Sequence, residues 1–171
     1  MAESSLLRVT SCVCSAVPLA GLRFYAYNVL AGGLLTGKHA ARFKAERAGI
    51  AQQGGKGAGQ SRFAGCGNSK TYRARFWKQS YFEALEAVAA ACAAEGVPMA
   101  AAAVRWLTRH SALDGARGDA VILGATKPGH LAANLEAATG KGACGPLSAG
   151  VVAAFDAAWG ACRHEVPCYF R

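Results

Sequence analysis

The chain has 171 residues, of which 53% are apolar and 17% are charged. This length fits one ordinary domain, and the apolar fraction excludes wholesale disorder. The net charge is +9, and its excess lies between residues 36 and 80, where ten Lys and Arg face a single acid, Glu46. Such a stretch suits nucleic acid, anionic lipid or a phosphorylated small molecule, or is simply a solvated surface.

The first half of the chain predicts one strand and a long loop. Residues 22–30, LRFYAYNVL, are short and rich in aromatic and aliphatic side chains, which predicts a strand buried on both faces. The glycine-rich segment 48–69 follows and predicts a long loop that is mobile or ordered by a ligand.

The second half predicts helices around a second strand. Helices are expected at 80–96 and 98–110, a buried strand at 119–126, and helices at 127–138 and 148–164. Gly96 and Pro98 separate the first two helices. Leu131 and Leu135 are predicted to pack the third helix, and Ser148 to cap the fourth.

Strands joined by helical crossovers predict an α/β fold with a parallel sheet. Two parallel strands alone leave edges and an apolar face uncovered. The sheet is therefore expected to be completed by another chain, or to be part of a larger α/β domain.

The cysteines point to a reducing compartment. Seven are present, an odd number, and no pair has the C-x-x-C spacing of a zinc site. No metal site and a cytoplasmic location are therefore expected. The first twenty residues differ in composition from the rest; they are either a weak targeting peptide or an arbitrary start of the chain. No run has the length of a membrane-spanning helix.

The segment GGLLTGKH, residues 32–39, lies one residue from a phosphate-binding P-loop. Gly32, Gly37 and Lys38 fit the pattern, but His39 stands where a Ser or Thr would hold magnesium. The segment is either a P-loop without its hydroxyl or a different phosphate-binding turn.

Five motifs in order carry a family resemblance. They are RFYAYNVLAGGLLTGK, TYRARFW, GDAVILGA, HLAANL and the terminal HEVPCYFR. Together they resemble the C-terminal part of the aldo-keto reductases, and within that family the aflatoxin aldehyde reductase group. The resemblance runs from about residue 22 to residue 171, and it divides the chain into an unmatched segment 1–20 and a partial reductase domain 21–171.

The resemblance implies the C-terminal part of a (β/α)8 TIM barrel that binds NADPH. The two strands would be the seventh and eighth, accompanied by four or five helices, and the barrel would be incomplete. Ligands of such barrels bind at the carboxyl ends of the strands. The glycine turn would then hold the cofactor pyrophosphate without magnesium, its glycines letting backbone amides approach the phosphates.

The resemblance also implies a set of site residues. Lys127 would meet the adenosine 2′-phosphate and Asn134 the adenine, while Arg75 would suit a carboxylate or aldehyde oxygen. The implied substrate contacts are Tyr72, Arg75 and Arg171. The implied cofactor contacts are Asn28, Leu30, Ala31, Gly32, Gly33, Leu34, Thr36, Gly37, Lys38, Arg62, Thr126, Lys127, Pro128, His130, Leu131 and Asn134.

The implied function is that of an NADPH-dependent aldehyde or ketone reductase fragment. The family's catalytic Asp, Tyr, Lys and His find no matching position, so the chain alone is predicted to be inactive. The alternative is a non-catalytic cofactor-binding or interaction protein that docks to a full-length partner, and the close family tends to form dimers. Nucleic-acid binding through a stacking groove, with Arg73, Arg75 and Lys78 among aromatic residues, is a third and disfavoured interpretation.

Overall fold

The computed structural model describes residues 21–50, 61–140 and 145–166. Two strands form one parallel pair, β1 (Tyr25–Ala26) and β2 (Ala120–Val121), with Tyr25 opposite Ala120 and Ala26 opposite Val121. The pair is held by the Ala120 amide donating to the Phe24 carbonyl at 3.0 Å and the Ile122 amide donating to the Ala26 carbonyl at 2.8 Å. The predicted parallel arrangement is thus confirmed, although each strand is shorter than predicted.

Six α-helices lie within the described part of the chain. They are α1 (Ala40–Arg47), α2 (Ser69–Phe76), α3 (Gln79–Ala94), α4 (Met99–Arg109), α5 (Pro128–Thr139) and α6 (Ala149–Cys162). The last four match the predicted helices. Ser148 caps the N-terminus of α6 as predicted, since its hydroxyl accepts from the Val151 amide at 3.2 Å. Helices α1 and α2 were not predicted; they flank the predicted loop 48–69, of which residues 51–60 lie outside the described residues. Their polar, Arg-rich sequences carry almost no apolar periodicity to reveal them.

The main core lies between α3, α4 and α6, where α3 packs on α6. Val88 of α3, Trp106 of α4 and Val151 and Phe155 of α6 are buried in one cluster. A second cluster is mostly aromatic: Leu34, Phe43, Phe63 and Phe82 are buried, and Phe43 stacks on Phe82 with ring centres 3.9 Å apart. This second cluster lies under the glycine-rich turn that follows β1.

Two predicted burial patterns are wrong. The strands are not buried on both faces, since Tyr25, Tyr27 and Ile122 are more than half exposed. The described helices pack mainly on one another rather than on the strand pair, so these side chains stay in contact with solvent. In α5, Leu131 and Leu135 are exposed, whereas Asn134 and Ala137 are buried, because the helix turns a different face to its neighbour α4.

The junction between β1 and β2 is held by Asp119. Its carboxylate accepts from the backbone amides of Phe24 at 2.9 Å and Asp114 at 3.0 Å. These backbone hydrogen bonds lower the pKa of Asp119. The carboxylate therefore ties the start of one strand to the start of the other and fixes their register.

Candidate cofactor-binding site

The glycine loop, residues 28–38, begins two residues after β1. Asn28 and Ala31 have positive φ angles of 59° and 48°, and Gly32, Gly33 and Gly37 have φ angles of 70°, 101° and 75°. So many left-handed residues fold the backbone into a compact series of turns, which is the conformation that glycine permits at least cost. The Asn28 side-chain oxygen closes the first turn by accepting from the Gly32 amide at 2.9 Å.

The glycine amides of this loop have acceptors within the loop itself. The Gly33 amide donates to the Leu30 carbonyl at 2.8 Å, and the Gly37 amide donates to the Leu34 carbonyl at 3.1 Å. With the Gly32 amide on Asn28, all three glycines donate internally. In this conformation they serve the turn geometry, and an anion would be held by side chains around the loop rather than by these amides.

Two predicted site residues, Tyr72 and Arg62, meet beside Gly32. The Tyr72 ring lies so close that a Cβ on Gly32 would be 2.6 Å from one of its carbons. Arg62 donates to the Tyr72 hydroxyl at 3.1 Å, and its guanidinium lies 5.1 Å from the ring centre. Lys38 is the last residue of the loop, and its Nζ lies about 4.0 Å from the position of a Cβ on Gly33. One cation of the loop itself and one bound to Tyr72 therefore lie near the glycines, as an anionic ligand would need.

The remaining loop residues have mixed roles. Leu34 is buried in the aromatic cluster, so its side chain belongs to the core. The Thr36 hydroxyl donates to the Gly33 carbonyl at 2.7 Å and stabilises the turn. Leu30 and Ala31 are half-buried and pack against the two cores. They support the loop from beneath.

The second predicted cofactor segment follows β2. Because β1 and β2 are parallel, the glycine loop and the turn before α5 leave the same edge of the sheet. Thr126, Lys127, Pro128, His130 and Leu131 are exposed at the start of α5, whereas Asn134 is buried with 8% of its surface accessible. The loop's 3-10 segment (Ala31–Thr36) and α5 both contact α4, so the two segments flank one helix.

The predicted substrate residues are not all brought together. Arg75 lines an apolar cavity of about 350 Å³ along with Tyr27, Tyr81, Trp106 and Trp159, and Tyr72 is not among the described lining residues. Burial in this region raises the pKa of Tyr81 to about 12. Arg171 lies outside the described residues.

Sequence reasoning missed Glu46, which is the centre of a buried polar cluster. Its carboxylate accepts from Arg42 at 2.9 Å, Arg73 at 2.5 Å and the Trp77 indole at 3.0 Å. Burial opposes ionisation, but the hydrogen bonds from Arg73 and Arg42 outweigh it and lower the pKa of Glu46. Its position as the single acid among ten basic residues was the available signal.

His39 was noticed only as a departure from the P-loop pattern, and it is buried with 6% of its surface accessible. Its ring packs edge-on against Phe63 and Trp77 at centre distances of 4.9 and 5.8 Å. Burial, and then the charges of Lys38 and Arg42, lower its pKa to about 4. Within the described residues its Nε2 has no hydrogen-bond partner, so the ring acts as a neutral aromatic support.

Two of the three basic residues of the proposed stacking groove, Arg73 and Lys78, are used inside the chain. Arg73 and Trp77 bind Glu46, and the Arg73 guanidinium lies 4.3 Å from the Trp77 ring centre. Lys78 donates to the Glu165 carbonyl at 2.5 Å. These three side chains are therefore not free to stack on nucleic-acid bases.

Within residues 21–50, 61–140 and 145–166, no group of three or more His, Cys, Asp and Glu side chains is arranged to hold a metal ion. No single helix in these ranges combines the length and the apolar composition needed to cross a membrane.

A parallel strand pair with a glycine turn and cations at one edge defines a candidate site for an anionic ligand. The Aldo/keto reductase family model matches residues 3–159, and the chain belongs to this family. The match begins inside segment 1–20, which the motif comparison had left outside the resemblance.

The curated relatives include several aldehyde reductases. The chain is 48% identical to the rat "Aflatoxin B1 aldehyde reductase member 2" over 155 residues, which cover 88% of this chain and 38% of the relative. It is 46% identical to the human "Aflatoxin B1 aldehyde reductase member 4", covering 88% of this chain and 42% of the relative. The human "Aldo-keto reductase family 7 member A3" is 44% identical, with 88% and 43% covered. The chain thus spans about two fifths of the length of these relatives.

Proposed function

We propose that this chain supplies the NADPH phosphate-binding surface and part of the substrate pocket of an aldehyde or ketone reductase, as the C-terminal part of a (β/α)8 barrel. The observation that carries the proposal is the parallel pairing of β1 with β2. It sends the glycine loop and the Thr126–Lys127 turn from the same edge of the sheet, where barrels of this type bind ligands.

The residues around the loop suit the phosphates of a dinucleotide. Lys38, at the end of the glycine loop, and Arg62, bound to Tyr72, would neutralise the pyrophosphate, and Lys127 is exposed at the second turn for the 2′-phosphate. The Tyr72 ring packs directly on Gly32, a position where a side chain in place of glycine would collide with the ring. NADPH, when bound, supplies the hydride that reduces a carbonyl. Arg75, at the apolar cavity, would hold an oxygen of the substrate.

NADPH binding by the purified full chain tests this function. We expect NADPH fluorescence to report saturable binding, and Lys127→Ala to weaken NADPH binding about tenfold by removing one charge-assisted phosphate contact. NADH binding should be unchanged, because NADH lacks the 2′-phosphate. Lys44→Ala is the matched control, since Lys44 is an exposed lysine paired with Glu86 at 2.7 Å.

A loss of NADPH affinity in Lys44→Ala as large as in Lys127→Ala would show a general charge effect and contradict the site. An absence of NADPH binding by the wild-type chain would overturn the proposed function itself.

Catalytic turnover is expected to be negligible for the chain alone. No residue of the chain matches the family's proton-donating Tyr or its Asp, Lys and His partners, so an aldehyde would receive no proton at its oxygen. The measurement is NADPH oxidation with an aromatic aldehyde, monitored at the nicotinamide absorbance. A steady, enzyme-dependent rate would contradict this expectation.

The exposed side chains of the strand pair favour a second candidate, a non-catalytic protein that docks to a partner. Tyr25, Tyr27 and Ile122, which lie in or next to the strand pair, are more than half exposed. Size-exclusion chromatography with light scattering tests the docking candidate: a stable, soluble monomer would count against an obligate partner.

A further inference from the structure

Glu46 joins two helices that are separated by a long segment of chain. It lies on α1, which starts directly after the glycine loop, and it binds Arg73 and Trp77 at the end of α2. Its side chain is only 3% exposed, and Arg73 is 17% exposed, so the ion pair is shielded from water. A shielded pair of this kind holds its partners in a defined geometry more firmly than an exposed one.

Helix α2 in turn fixes the residue that covers the glycine loop. Tyr72 precedes Arg73, and its ring lies against Gly32 with Arg62 on its hydroxyl. A shift of α2 away from α1 would lift this ring from the loop. The turn would lose its cover, and Arg62 would lose the hydroxyl that orients its guanidinium.

The geometry points to Glu46 as a positioning residue, which locks α2 onto α1 and so holds Tyr72 and Arg62 against the glycine loop. Among the described residues, Glu46 hydrogen-bonds to Arg42, Arg73 and Trp77, none of which is a predicted ligand contact. The effect of Glu46 on ligand binding rests on the proposed function. Its effect on the position of Tyr72 and Arg62 does not.

Hydrogen exchange measured by mass spectrometry on the ligand-free full chain tests the lock. In Glu46→Gln, we expect the amides of residues 28–38 to exchange roughly tenfold faster, because a neutral amide leaves Arg42 and Arg73 without their charged partner. Exchange in α6, residues 149–162, should not change. Glu86→Gln is the matched control: it breaks the other α1 ion pair, Lys44–Glu86, whose side chains are 70% and 55% exposed.

A second comparison separates positioning from a general loss of stability. Tyr72→Ala should itself speed exchange in residues 28–38, and Glu46→Gln added to it should produce no further increase there. If Glu46→Gln does not fold, Arg73→Lys replaces it in this test. It keeps the charge but loses the planar fork on Glu46, and it should give the same faster exchange in residues 28–38.

Two outcomes would overturn the inference. One is unchanged exchange in residues 28–38, and the other is an equal increase in all segments, including α6. Parallel NADPH titration keeps the two proposals apart: if the wild-type chain does not bind NADPH, the proposed function fails, while hydrogen exchange still decides the role of Glu46.

Discussion

Gly32→Ala is expected to lower the free energy of unfolding by about 3 kcal/mol. Alanine would have to adopt the left-handed backbone conformation of this position, with a φ of 70°, and its Cβ would lie 2.6 Å from the Tyr72 ring. The backbone conformation costs roughly 1–2 kcal/mol and the overlap a similar amount. Urea unfolding followed by tryptophan fluorescence measures the loss. Because the ring would be displaced from the loop, NADPH binding should weaken in the same variant.

Gly49→Ala provides a control with the same backbone geometry. Gly49 has a φ of 71°, but no described atom lies within 4 Å of its added Cβ. It should lose only the backbone part, about 1 kcal/mol. The double variant Gly32→Ala with Tyr72→Ala should lose less than the sum of its single changes, since the overlap is gone. Equal losses in Gly32→Ala and Gly49→Ala would show that Tyr72 does not press on the loop.

The stability of the protein is expected to fall as the pH is lowered from 6.5 towards 4, with His39 as a main cause. The pKa of this histidine is about 4 in the folded chain and 6.5 in an unfolded one. The unfolded state therefore binds more protons within this window, and stability decreases as the pH falls. The full contribution, on the order of 3 kcal/mol, is present above pH 6.5 and lost by about pH 4.

His39→Phe isolates this effect, because phenylalanine keeps the edge-on packing against Phe63 and Trp77 without a titrating group. Burial also lowers the pKa of His110, whose Nε2 accepts from the Leu147 amide at 3.0 Å. His110 therefore also makes stability fall as the pH falls, and only the comparison of wild type with His39→Phe separates the two histidines. Urea unfolding at several pH values should give a flatter profile for His39→Phe; identical slopes for the two proteins would rule out His39 as the cause.

The long-range organisation of this chain was predictable because it depends on patterns that repeat along the sequence. Helices α3, α4, α5 and α6 have apolar periodicity or recognisable ends, such as Gly96 with Pro98 and the Ser148 cap. The parallel order of the strands followed from the crossovers between them. The family followed from five short motifs, and the match to the Aldo/keto reductase model confirms it.

Helices α1 and α2 escaped prediction because their stability comes from contacts distant in sequence. Phe43 stacks on Phe82, and Glu46 binds Arg73 and Trp77. Tertiary contacts of this kind override weak local propensity. For the same reason the basic stretch appeared uniformly available for a ligand, although several of its cations are used within the fold.

By itself, the sequence determined the family, the α/β class, the four periodic helices and the glycine turn, since these depend on residue types at fixed spacings. Only the tertiary structure decided which charges remain free, which face of α5 is buried, and that Tyr72 and Arg62 meet at Gly32. Those properties depend on distances between segments that lie far apart in the chain, and side-chain burial and charge pairing follow such distances rather than local spacing.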